Sequence, residues 1–112
     1  MPVSGTQPGR PPAGLGPVRL HAVVRGQVQG VGFRYLVRHE ALRLGLTGWV
    51  ANRNDGSVEC EAQGQRGALE ELVEVLAAGP PGASVDDLEV DWTPVAAGFE
   101  GFAIRSGSHP GD

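Results

Sequence analysis

The chain has 112 residues with 40% hydrophobic content and a formal net charge of −4, from nine basic and thirteen acidic side chains. That length supports one domain with a modest core, and the acidic balance excludes broad nucleic-acid binding through a basic surface, so any anion site has to be local. Cys60 is the single cysteine and excludes an intrachain disulfide, no apolar run approaches the roughly 18–20 residues of a membrane helix, and the N-terminal stretch lacks the apolar segment of a secretory signal; a soluble, cytoplasmic protein is expected.

Residues 1–17 interleave Pro2, Pro8, Pro11, Pro12 and Pro17 with Gly5, Gly9, Gly14 and Gly16, a composition that cannot offset its ordering entropy by burial. A flexible tail is expected there, a leader rather than a docking motif, because no aromatic or basic pattern accompanies the prolines. The polar end, 107–112, reads the same way and leaves 18–106 as the folded domain.

From Val18 the pattern has period two. Val18, Leu20, Ala22 and Val24 share one face, and Arg19, His21, Val23 and Arg25 the other, which predicts a half-buried strand. Phe33, Leu36, Val37, Ala41 and Leu44 then recur at helical spacing, with Gly45 as the stop. The segments 46–52 and 57–63 flank Arg53, Asn54, Asp55 and Gly56, a turn whose Asp and Gly tolerate left-handed backbone, and so predict a hairpin. In its second strand Val58, Cys60 and Ala62 point inward, and Ser57, Glu59, Glu61 and Gln63 outward. Leu69, Leu72, Val73, Leu76 and Ala77 predict a second helix that stops at Gly79, Pro80 and Pro81. Leu88, Val90 and Trp92 alternate with Glu89 and Asp91, and a short last strand places Phe102 and Ile104 on one face. The order is the split βαβ pattern of an α+β, ferredoxin-like (βαββαβ) two-layer sandwich, with two helices on one face of a mainly antiparallel sheet.

The most informative run is GQVQGVGFR, Gly26 to Arg34, which joins the first strand to the first helix through three glycines. Such glycines let main chain approach a ligand closely, and the helix leaves unpaired N–H groups aimed back at the loop. This is a ready anion site. Arg34 lies in the first turn of the helix, where a cation opposes the helix dipole unless an anion is present, and its fork of donors suits a phosphoryl group. Loop and arginine together point to phosphate recognition. An isolated loop of this kind would more often be a tight turn without a ligand.

The motifs GQVQGVGFRY (26–35) and ALRLGLTGWVANRNDGSVE (41–59), with the downstream Gly79–Pro80, resemble the acylphosphatase family across nearly all of 18–105. The resemblance implies hydrolysis of the carboxyl-phosphate bond of small acyl phosphates to a carboxylate and inorganic phosphate, by a monomer without cofactor, metal or covalent intermediate. It implies phosphate binding by Arg34 and by the main chain of Gln29, Gly30, Val31, Gly32 and Phe33, and a water-orienting role for Asn52. On its own Asn52 reads as a residue before a turn. Its amide offers a donor and an acceptor but is too weakly basic to take the water's proton, so a phosphate oxygen of the substrate is the expected acceptor.

Other chemistry is less well supported. His21, His39 and His109 are dispersed and read as surface residues, and His39–Glu40 lacks the second histidine of a metalloprotease helix. GVGFRY has neither the third glycine of a dinucleotide fingerprint nor the lysine of a P-loop, and the chain contains no lysine. Trp49, Trp92, Phe99 and Phe102 suggest a base-stacking platform, but alternation is expected to turn most of them to the core. The main rival is a non-catalytic or carbamoyl-phosphate-handling phosphate-binding module, like the acylphosphatase-like domain that begins hydrogenase maturation factors. Those proteins continue into further domains.

Overall fold

Alternation buries one face of the first strand, which lies inside the sheet rather than at its edge. In the computed structural model, which describes residues 16–95 and 98–105, β1 (Val18–Gln27) buries Val18, Leu20, Ala22 and Val24 and pairs antiparallel with a strand on each side. The expected tails lie outside the described residues except for Gly16 and Pro17, as does His109. After β1 come α1 (Phe33–Arg43), β2 (Thr47–Asn52), β3 (Val58–Gly64), α2 (Arg66–Ala78), β4 (Ser84–Pro94) and β5 (Phe102–Arg105). The sheet order is β4-β1-β3-β2-β5, antiparallel except that β5 runs parallel to β2. Both helices pack on one face, which is the expected ferredoxin-like α+β sandwich.

The core lies between sheet and helices and is built from the inward side of β1, β2 and β3 with Phe33, Val37 and Ala41 of α1 and Leu69, Leu72 and Leu76 of α2. The first helix ends in a Schellman motif: Gly45, at φ 75°, donates to Leu42 O at 3.1 Å and Leu46 donates to Ala41 O at 2.8 Å. That turn delivers the chain directly into β2. Cys60 is fully buried, and desolvation pushes its thiol far above the ordinary range.

Several side chains depart from the sequence pattern. Ala77 is exposed, and Val75 packs against the core in its place. Leu36 is half-buried. On the outer face Val23 and Ala51 are buried, because they flank Glu59 in one row across the middle of the sheet, beneath the His21–Glu59 and Arg25–Glu89 pairs. His21 is therefore a partly buried, paired residue rather than a free surface histidine. Ser57 is buried because the Asp55 carboxylate accepts both its N–H, at 3.0 Å, and its hydroxyl, at 2.5 Å. Only Gly56 of that turn has positive φ; Asp55 does not.

The aromatic residues divide evenly rather than turning mostly inward. Trp92 and Phe102 join the core, whereas Trp49 and Phe99 lie on the outer face, where the guanidinium of Arg105 sits 4.6 Å from the Trp49 ring and that of Arg19 sits 4.4 Å from the Phe99 ring. Stacking against arginine compensates for the missing burial.

Candidate active site

The loop between β1 and α1 is anchored at both ends in the core, since Val28 is 1% and Phe33 2% exposed. Between them the main chain is held at the surface by Gly30 and Gly32, at φ 78° and 83°, a region that L side chains enter at a cost of about 1–2 kcal/mol. Gly32 is the N-cap of α1 and offers no side-chain cap, and the first turn holds no acidic residue. Leu36 makes the first bond of the helix, to Gly32 O at 3.1 Å. The N–H groups ahead of it have no intrahelical acceptor and carry the positive end of the helix dipole.

Arg34 adds a permanent cation at this end. Its Nη1 donates to the Arg105 carbonyl of β5 at 2.7 Å, which fixes the guanidinium while leaving its other N–H groups for a ligand. One turn further on, Arg38 Nε donates to Phe102 O at 2.9 Å. The short edge strand β5 is thus tied to α1 at two points.

Asn52 is the last residue of β2 and reaches the same place from the other side. A cavity of about 220 Å³ is lined by Val28, Gly30, Gly32, Phe33, Arg34, Tyr35 and Asn52. The expected residues Gly30, Gly32, Phe33, Arg34 and Asn52 therefore converge. Val31 and Gln29 lie outside the lining: Val31 packs partly on the core, and the Gln29 side chain donates to the hairpin carbonyls of Arg53 and Ser57 at 2.8 and 2.9 Å. Sequence reasoning did not identify Tyr35, 68% exposed at the rim, or the Arg105 carbonyl. Main-chain acceptors leave no trace in residue identity. Among the described residues no three His, Cys, Asp or Glu side chains converge.

Glycine-framed amides, an arginine and a strand-end amide side chain at the edge of a two-layer sandwich form a cavity whose donors suit a small anionic group. The model of the family described as Acylphosphatase matches residues 20–104. An acylphosphatase of Salinibacter ruber is 51% identical over 87 residues, 78% of this chain and 92% of that protein. The crystal structure of acylphosphatase from Bacillus subtilis superposes with a TM-score of 0.76 at 42% identity, over 79% of this chain and 98% of that one. The structure of T. kodakarensis HypF matches with a TM-score of 0.70 at 32% identity, over 80% of this chain but 12% of that one. The chain belongs to the acylphosphatase family, and the activity it carries is that of an acylphosphatase, a hydrolase.

Proposed function

We propose that the protein hydrolyses the carboxyl-phosphate bond of small acyl phosphates by in-line attack of water on phosphorus. The observation that carries this reading is the convergence of Gly30, Gly32, Arg34 and Asn52 on one cavity of about 220 Å³. That volume is below the roughly 300–1,000 Å³ of pockets that enclose drug-sized ligands. It suits a phosphoryl group and a water, with the acyl part extending past the rim.

The amides of Gly30, Gly32, Phe33 and Arg34 and the Arg34 guanidinium hold the equatorial oxygens and offset their charge, the main demand of phosphoryl transfer with a good leaving group. Asn52 holds the water in line with phosphorus through its carboxamide. The proton passes to a phosphate oxygen, and no metal or cofactor takes part. The carbamoyl-phosphate-handling alternative is the weaker reading, because the Salinibacter ruber relative, 51% identical over 87 residues, is an acylphosphatase.

The free thiol of Cys60 suits the reducing cytoplasm. No helix among the described residues is long and apolar enough to cross a membrane. The catalytic unit is 18–106, and a protein trimmed of 1–17 and 107–112 is expected to keep its turnover.

Hydrolysis of benzoyl phosphate in ¹⁸O-labelled water with chelator present tests the mechanism. Label in the phosphate and undiminished turnover are expected. Label in the benzoate, loss of activity to the chelator or a steep general-base limb in the pH profile of rate would overturn it.

A further inference from the structure

We propose that Gln29 is a positioning residue that sets Asn52 against the phosphate cradle, an inference that rests on the assignment of Asn52 to the attacking water. The Gln29 side chain leaves the loop it belongs to. Its Nε2 donates to Arg53 O at 2.8 Å and to Ser57 O at 2.9 Å, so both hydrogens of one neutral amide are used.

Those two carbonyls belong to the pair that closes the hairpin. Arg53 N–H donates to Ser57 O at 2.9 Å, and the next pair into the ladder is Asn52 with Val58. Ser57 O accepts two bonds, matching its two lone pairs. Asp55 holds the turn from within by accepting from Ser57 N and Oγ. The mouth of the turn is thus clamped from outside by a residue of the cradle loop, directly beside Asn52.

Gln29 does not line the cavity, whereas Asn52 does. Its amide therefore acts on the reaction through the hairpin. The cradle fixes phosphorus, β2 fixes the Asn52 main chain, and the Gln29 bonds fix one relative to the other. Misplacement of a reacting group by about 1 Å costs on the order of 10²-fold in rate, so a clamp at this position controls turnover more than binding.

The test uses the full chain with benzoyl phosphate as substrate and inorganic phosphate as competitive inhibitor. Gln29→Met removes both donors at similar volume, and Gln29→Glu keeps the shape while facing carboxylate oxygens to the two carbonyls. Each is made alone and in an Asn52→Ala background. A fall in kcat on the order of 10- to 100-fold is expected, with KM and phosphate inhibition unchanged and no further loss when Asn52 is already alanine, because residues acting as a unit are not additive.

Undiminished kcat in a folded variant would overturn the proposal. So would a loss that multiplies with that of Asn52→Ala, or phosphate inhibition weakened as much as kcat, which would place Gln29 in the cradle itself. If Gln29→Met fails to fold, Gln29→Glu decides alone. Wild-type kcat in Asn52→Ala overturns the role of Asn52 instead and is read separately.

Discussion

Arg34 and Arg105 stand 71 residues apart in the chain and meet where the Arg34 Nη1 donates to the Arg105 carbonyl oxygen at 2.7 Å. A guanidinium can keep that bond and still offer a second edge to a phosphoryl group, whereas an ammonium on a flexible stem cannot hold both. Arg34→Lys is therefore expected to lose nearly as much kcat as Arg34→Ala, about 10²–10³-fold, with the far-ultraviolet spectrum unchanged. A lysine protein within a few-fold of wild type would show that charge alone suffices.

Asn52 contributes its side chain to the cavity and its main chain to the β2–β3 ladder. Asn52→Ala keeps the ladder and loses the carboxamide. Its kcat is expected to fall about 10²-fold, while inorganic phosphate still inhibits at its wild-type concentration. Inhibition titrations on the folded variant separate this outcome from damage to the cradle.

Gly26 sits at the irregularity where β1 shifts register against β4. A β-carbon there would collide with the Ser84 carbonyl oxygen and lie 2.8 Å from Asp86 N, at φ 132°. At Gly30 a β-carbon would meet open space, and only its φ of 78° opposes it. Gly26→Ala is expected to destabilise by about 2–3 kcal/mol and Gly30→Ala by about 1 kcal/mol, read as urea midpoints at equal m-value. The order of the two is the diagnostic result.

Asp55 has its carboxyl held below its ordinary value of 3.8, chiefly by the Ser57 hydroxyl and then by the Ser57 N–H. A depressed folded pKa means that the unfolded chain binds the proton first. The stability that Asp55 adds is thus complete above about pH 5 and is lost as pH falls below 3.8 and through the folded value. Thermal midpoints of wild type and Asp55→Ala are expected to converge as pH is lowered through that window. Parallel curves would show that the turn draws no stability from the charge.

The layered fold was legible because alternation at 18–24, helical spacing at 33–44 and 69–76, and the Asp55–Gly56 turn each agree with the burial they produce. Residue type alone singled out the loop glycines Gly30 and Gly32 and Arg34, which the fold brings together at one cavity. Local pattern failed where covering comes from elsewhere in the sheet. Val23 and Ala51 are buried on the outer face because charged neighbours on other strands lie over them. Trp49 stays outside because Arg105 of β5 stacks on it. Gln29 carries no sign in its own segment that its amide serves two carbonyls 24 and 28 residues away.

The parallel pairing of β5 with β2 ties the competence of the site to the completion of folding. Strand β5 spans four residues, its register sets Gly48 opposite Phe102, and α1 grips it through Arg34 and Arg38. Contacts of such sequence separation must overcome loop-closure entropy before they contribute stability. A chain in which β5 is undocked would leave Arg34 without its carbonyl partner. On the proposed role of Arg34 in holding phosphate, affinity for phosphate would report whether the sheet is whole, and a ligand that seats Arg34 would draw the edge strand home by mass action.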